Sequence, residues 1–183
     1  MKIDVNGIIE KYYTKGSDLY NVLKIHSQQV TKKAVEIAER RKDLQLDIDF
    51  IAEAAMLHDI GIFKCHAPKI FCIGNHRYIE HGYLGAEILQ SEGLDRHALV
   101  CERHTGVGLS LEMIEKNNLP LPHREMIPET MEEQLICYAD KFYSKSHLGE
   151  THSLDTIRKD LARFGEYQVI IFNKWHQFFD TTE

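Results

Sequence analysis

Apolar residues recur through most of this chain at the three- and four-residue spacing of amphipathic helices. No long stretch alternates apolar and polar residues with the two-residue period of a half-buried strand. The pattern therefore predicts an all-α fold, a helical bundle in a single domain. The predicted helices cover residues 3–13, 18–41, 50–59, 78–92, 95–104, 110–118, 130–146 and 153–180.

Individual residues predict where several of these helices begin and end. Ser17 is placed to cap the second helix, Asp49 opens the third, and Gly61 is expected to stop it in a left-handed conformation. Residues 62–77 lack helical periodicity and carry a proline and several cations. A connection of this length suggests a functional loop, such as a lid or one wall of a substrate site.

Length and composition narrow the class of protein. A chain of 183 residues favours one domain over 1–183, with a core at 18–146 and a C-terminal helical extension at 147–183. The net charge of −6 argues against a nucleic-acid polymer as partner. No segment reaches the roughly 20 apolar residues of a membrane span, and the first residues lack the apolar core of a signal peptide. We therefore expect a cytoplasmic protein with no membrane partner.

The candidate chemistry lies in histidines and acids on the apolar faces of the predicted helices. His58 and Asp59 are adjacent at the end of the third helix, and four more such residues follow the helical stripes: His26, His81, His104 and Asp140. Any one inward histidine is more often a hydrogen-bonded core residue, and any one inward aspartate an ion-pair or cap partner. All six together are better explained by a metal centre, because an unpaired buried carboxylate is costly.

Imidazoles and carboxylates without thiolates favour a divalent transition metal (Fe, Mn, Zn, Co or Ni) over Mg or Ca. Six ligands exceed what one ion with an open position needs, so we expect one or two ions, bridged by Asp59 if there are two. A metal-activated hydroxide would then be the nucleophile. Finding His81 or His104 more than ~10 Å from Asp59 would exclude two ions, since coordination bonds measure only ~2 Å.

At these residues the chain resembles the HD-domain superfamily of metal-dependent phosphohydrolases, and within it the His-Asp-Ile-Gly subgroup. The similar segments are, in order, His26, His58-Asp59-Ile60-Gly61, His81-Gly82-Tyr83-Leu84-Gly85-Ala86, His104-Thr105-Gly106 and Ala139-Asp140-Lys141. The resemblance implies an all-α fold whose first ion is bound by His26, His58, Asp59 and Asp140. His81 and His104 are similar to the added ligands of dinuclear members, and their surroundings look closest to the symmetrical diadenosine tetraphosphate hydrolases.

The chain also departs from the family pattern. Many members carry a lysine directly after the His-Asp-x-Gly turn, where this sequence has Ile62, and the nearest lysine is Lys64. The Gly-Tyr-Pro motif of the cyclic-dinucleotide phosphodiesterases is missing, which argues against that substrate. Asp59 and Lys64 are the candidate catalytic residues. Lys64, Arg103 and Lys145 are the candidate contacts of a substrate phosphate, because each lies close in sequence to a ligand position, although each could instead be a solvated surface charge.

The leading hypothesis is a metal-dependent phosphohydrolase that cleaves a phosphoester or phosphoanhydride of a small phosphorylated molecule resembling a nucleotide. The superfamily also contains di-iron enzymes that use dioxygen, so an oxygenase is the alternative. A third possibility is a nucleotide sensor that has kept the metal site without turnover. The last predicted helix offers a surface for a homodimer.

Overall fold

The computed structural model describes residues 3–180, and α-helices dominate this part of the chain. An all-α helical bundle was predicted, and the observed architecture confirms it. The helices are α1 Val5–Tyr12, α2 Asp18–Arg40, α3 Ile48–Leu57, α4 His81–Ser91, α5 Asp95–Arg103, α6 Leu111–Lys116, α7 Met131–Asp140, α8 Leu154–Ala162 and α9 Glu166–Phe179.

Two short antiparallel hairpins interrupt the helical fold. The strands are β1 His66–Ala67, paired with β2 Cys72–Ile73, and β3 Tyr143–Ser144, paired with β4 His147–Thr151. The first hairpin gives order to the loop 62–77. The second corrects the predicted helix 130–146, because α7 ends at Asp140 and the Ser144 side chain accepts a hydrogen bond from the Ser146 backbone (3.2 Å), which stabilises a turn.

The ends of α2 and α3 were predicted in part. The Ser17 side chain accepts a hydrogen bond from Tyr20 N at 3.2 Å, so the predicted cap is confirmed. The cap of α3 is Asp47 rather than Asp49, since the Asp47 carboxylate accepts from Phe50 N at 3.0 Å. Gly61 is not left-handed, as its φ is −82°.

Gly61 has a different reason to lack a side chain. A Cβ atom there would lie 2.3 Å from the backbone oxygen of His81 and 2.5 Å from the backbone nitrogen of Gly85. The turn after α3 therefore packs backbone against backbone on α4. A side chain at position 61 would push the two helices apart.

The C-terminal segment 153–180 is not the single helix that was predicted. Gly165, with φ +123°, separates α8 from α9, and this backbone conformation strains any residue with a side chain. Both helices bury apolar residues in the cluster that also contains α7, among them Leu161 and Phe172. The homodimer expected through the last helix stays a prediction, although Tyr167 and Ile170 on α9 are exposed.

The apolar interior consists of two large clusters that share α2 and α3. One joins these helices to α7, α8 and α9, and the other joins them to α1, α4 and α5. All four cysteines are buried, and none of them forms a disulfide bond. Within residues 3–180, no helix combines the length and apolar character that crossing a membrane would require.

Candidate metal centre

Six buried side chains from five helices and the turn after α3 meet between the two clusters. His26 lies within α2, and His58 and Asp59 directly follow α3. His81 begins α4, His104 directly follows α5, and Asp140 is the last residue of α7. None is more than 8% exposed. Helix ends bring five of them together, because an end residue can point along the helix axis into the space where several helices converge.

The first group of candidate ligands is His26, His58, Asp59 and Asp140. His26 Nε2 lies 3.1 Å from Asp59 Oδ2 and 2.9 Å from Asp140 Oδ1, and His58 Nε2 lies 3.1 Å and 3.4 Å from the same two oxygens. Two imidazole nitrogens therefore face two carboxylate oxygens across a gap of coordination size.

The second group is Asp59, His81 and His104. The Nε2 atoms of His81 and His104 each lie 3.4 Å from Asp59 Oδ1, and they are 3.0 Å from one another. Asp59 thus turns one oxygen to each group. Both histidines are far closer to Asp59 than the ~10 Å that would have excluded a two-ion centre.

Three of the four imidazoles are oriented by the same backbone contact. His58, His81 and His104 each place Nδ1 2.6–2.7 Å from the carbonyl oxygen three residues earlier, where the ring N–H donates a hydrogen bond. This contact leaves the Nε2 lone pair of each ring directed into the centre, which is the tautomer that a metal ligand requires.

The residues fit a bound metal because buried polar atoms of the centre lack hydrogen bonds. Oδ1 of Asp59 and Nε2 of His58 are buried without a hydrogen-bond partner. Such atoms are rare in folded proteins and call for an explanation, such as an ion. Divalent cations accept this donor set of imidazole nitrogens and carboxylate oxygens.

The two groups differ in charge. Burial acts to lower the pKa of His58, but the neighbouring carboxylates of Asp59 and Asp140 outweigh it and raise the pKa to about 9. Burial and the neighbouring His104 lower the pKa of His81 to about 3, and burial also lowers the pKa of His104. Near pH 7, the metal-free first group therefore holds a protonated histidine and the second group holds neutral ones.

Two lysines also contact the centre. Lys145 was predicted near the substrate, and its Nζ lies 2.6 Å from Asp59 Oδ2 with the side chain only 13% exposed. Lys141 was not singled out as a site residue; its Nζ donates to Asp140 Oδ2 at 2.8 Å and to the His104 carbonyl at 3.0 Å. The sequence signal for Lys141 was its position directly after a candidate ligand.

Among the described residues, the other two predicted cations form no ion pair with the six candidate ligands. The Arg103 guanidinium pairs with Glu133 (3.0 Å) and Glu129 (3.3 Å), near the start of α7, whereas Asp140 ends that helix about 10 Å further along its axis. Its contact with a substrate phosphate stays a prediction. Lys64 belongs to a 3₁₀ turn, and among the described residues its ammonium makes no ion pair with Asp59 or any other acid. Its catalytic and substrate-binding roles stay predictions.

Sequence reasoning missed two residues that shape the centre. The Tyr78 ring stacks on His81 with centroids 4.7 Å apart. Gln168, fully buried on α9, accepts from Val107 N and donates to the Gly108 carbonyl, both at 2.7 Å, and so fixes the turn after His104. An isolated glutamine on a C-terminal helix gave no signal, because its partners lie 60 residues away.

An all-α fold that buries two groups of histidine and aspartate around one shared carboxylate defines a helical metal-binding domain. The family comparison agrees: a model described as HD domain matches residues 23–144, and the chain belongs to this family. HD domains form a superfamily of metal-dependent hydrolases that bind divalent metals, which matches the chemistry of this donor set.

Three proteins of known sequence are similar to this chain. An uncharacterized protein of Methanocaldococcus jannaschii is 33% identical over 144 residues, which are 77% of this chain and 76% of that protein. Two proteins named tRNA (cytidine(56)-2'-O)-methyltransferase, from Thermoplasma volcanium and Picrophilus torridus, are 33% and 34% identical over 77% and 67% of this chain. The matches cover 37% and 32% of those proteins, so this chain spans about a third of their length. No solved structure matches this chain.

Proposed function

We propose that this protein is a metal-dependent phosphohydrolase that cleaves a phosphoester or phosphoanhydride of a small nucleotide-like molecule. The observation that carries the proposal is the position of Asp59, whose Oδ2 faces His26 and His58 while its Oδ1 faces His81 and His104. One carboxylate shared by two ligand groups suits a pair of divalent ions. Such pairs serve enzymes that displace groups at phosphorus.

In this proposal the six side chains described above are the metal ligands. The ions, when bound, would supply Lewis acidity and lower the pKa of a coordinated water toward neutrality. The chain's own residues hold this centre in place through the backbone carbonyls that orient three imidazoles and through Lys141, which ties Asp140 to the His104 turn. Lys145 places a positive charge beside Asp59, where its ammonium would contact a phosphate oxygen of the substrate.

Resemblance to the His-Asp-Ile-Gly subgroup and to the symmetrical diadenosine tetraphosphate hydrolases supports a nucleotide-like substrate. The methyltransferase names belong to proteins of which this chain spans about a third, and they form no part of the proposal. A nucleic-acid polymer is not among the proposed partners, because the net charge of the chain is −6.

The test begins with metal analysis of the purified protein, followed by a screen of phosphorylated metabolites with Mn²⁺ and Fe²⁺. We expect release of phosphate or a mononucleotide only with a metal, and its loss in Asp59→Ala. Asp49→Asn, a change at an exposed acid on α3, is the matched control and should retain the rate. An unchanged rate in a folded Asp59→Ala protein would refute the proposal.

Two other outcomes would replace the hydrolase. Iron-dependent oxygen consumption without phosphate release would favour a di-iron oxygenase. Nanomolar binding of a nucleotide without any product, whatever the metal, would favour a sensor. Circular dichroism of each variant separates loss of chemistry from loss of fold.

A further inference from the structure

A cavity of about 360 Å³ opens between the two hairpins beside the metal centre. Lys69 of the β1–β2 hairpin lies on one side, and Tyr143, Ser144, Lys145 and Ser146 of the β3–β4 hairpin lie on the other. The loop 62–77 was suggested as one wall of a substrate site, whereas the second hairpin lies where a helix was predicted. Volumes of roughly 300–1,000 Å³ are usual for sites that bind small molecules.

This cavity shares two residues with the metal centre. Lys145 lines it and contacts Asp59 at 2.6 Å, and Tyr78 lines it while stacking on His81. A molecule in the cavity is consequently adjacent to both ligand groups. The cavity is thus placed to hold the part of a substrate that is not being cleaved.

The lining has the opposite charge to the chain. No aspartate or glutamate lines the cavity, whereas two lysines do, in a protein of net charge −6. The hydroxyls of Ser144 and Ser146, which lie 3.0 Å from one another, also line the cavity. This set of groups suits an anion, and most directly a phosphate.

The two lysines are not equivalent. Lys145 forms an ion pair with Asp59 and so lies at the end of the cavity that adjoins the metal centre. Lys69 is exposed, and among residues 3–180 its ammonium makes no ion pair or hydrogen bond with another side chain. It is a cation available to a second anionic group at a distance from the metal centre.

We propose that this cavity binds the non-reacting phosphate of a substrate that carries at least two phosphate groups, with Lys69 as its contact. The proposal rests on the hydrolase function and narrows it to phosphoanhydrides and bisphosphates. It also assigns selectivity to the two hairpins, since a single phosphate would engage the metal centre and Lys145 without reaching Lys69.

The test is calorimetric titration of Mn²⁺-loaded protein, freed of excess metal, with inorganic pyrophosphate and with orthophosphate. We expect Lys69→Gln to weaken pyrophosphate binding about 10- to 100-fold, as removal of a charge-assisted hydrogen bond does, and orthophosphate binding less than about 2-fold. The matched control is Lys32→Gln, whose side chain is 79% exposed on α2, and it should alter neither affinity. Metal content measured after each titration shows whether pyrophosphate has removed the ions.

Equal losses for both anions would overturn the proposal, and so would no loss relative to Lys32→Gln. These outcomes differ from failure of the hydrolase. If no metabolite is cleaved but pyrophosphate binding depends on Lys69, the cavity assignment stands and the enzymatic one falls. If wild-type protein cleaves phosphoanhydrides and monoesters equally well and Lys69→Gln does the same, the cavity assignment falls alone.

Discussion

The two ligand groups of the metal centre differ in the number of carboxylates and in the structural elements that hold their side chains in place. The first group has a second carboxylate, Asp140, and is built on α2, α3 and α7, in the middle of the helical core. The second group adds only imidazoles to the shared Asp59, and His104 depends on a turn that is fixed by Gln168. Since carboxylate charge attracts a cation, the comparison indicates a tight first ion and a weaker second one.

The largest effect is expected from Asp59→Asn, because Asp59 is common to both groups. An amide cannot supply two anionic oxygens, so the affinity for both ions should fall. Loss of a residue that merely supports a metal ligand costs up to about 100-fold in metal affinity, and loss of a shared ligand should cost at least as much. Inductively coupled plasma analysis measures the metal content of the variant after dialysis, with Asp49→Asn as the control. Retention of one tightly bound ion would show that the two groups are independent.

Paired substitutions separate the groups. His81→Ala should leave one ion per chain, because His26, His58 and Asp140 remain, whereas His26→Ala should weaken the tighter ion. Stepwise metal titration followed by calorimetry distinguishes the two patterns. If both variants lost the same ion, the division into groups would be wrong.

Gln168 tests the support of the second group. Gln168→Leu leaves the Val107 N–H and the Gly108 carbonyl buried without partners, at a cost of about 2–5 kcal/mol in unfolding free energy. We expect the second ion to be lost before the first, with Gln168→Glu intermediate because it still accepts from Val107 N. Gln177→Leu, at an exposed position on the same helix, is the control for thermal melts and metal titrations. Uniform weakening of both ions would assign Gln168 to stability alone.

The smallest effect concerns protons. The pKa of His58 is raised to about 9, so at pH 7 an ion entering the first group must displace a proton, whereas His81, with its pKa lowered to about 3, has none to release. Affinity of the first ion should rise as pH increases toward 9, by at most about tenfold per pH unit, and affinity of the second should not. Calorimetry of the His81→Ala protein in buffers of different ionisation enthalpy counts the protons, and a count of zero would contradict the expectation.

The features predicted from the sequence are those that follow from the helical periodicity of apolar residues. Each helix with a clear apolar stripe was predicted, and so was the inward direction of His26, because a residue on the stripe must face the core. Adjacency in sequence does not by itself fix the direction of Arg103, since neighbouring helical residues diverge by about 100°, and in the structure the nearby acids of α7 bind its guanidinium.

The hairpins and the break at Gly165 were not predictable from periodicity. Strands as short as β1 and β3 have no detectable alternation, and the turn at Ser144 depends on side-chain contacts with the backbone. Gln168 was invisible because its role comes from the tertiary fold. The missed features are thus those that depend on local turns or distant partners.

The close approach at Gly61 has a consequence for how this centre can vary. Backbone atoms of the turn after α3 and of α4 are in direct contact, and Gly85 is confined from the other side, since a Cβ there would lie 3.0 Å from the Gly61 backbone nitrogen. Rotamer changes cannot alter a spacing that is fixed by main-chain atoms. The separation of His58 from His81 is therefore a rigid dimension of the molecule, whereas, within the described part of the chain, the two hairpins are not held by such a backbone contact with α4.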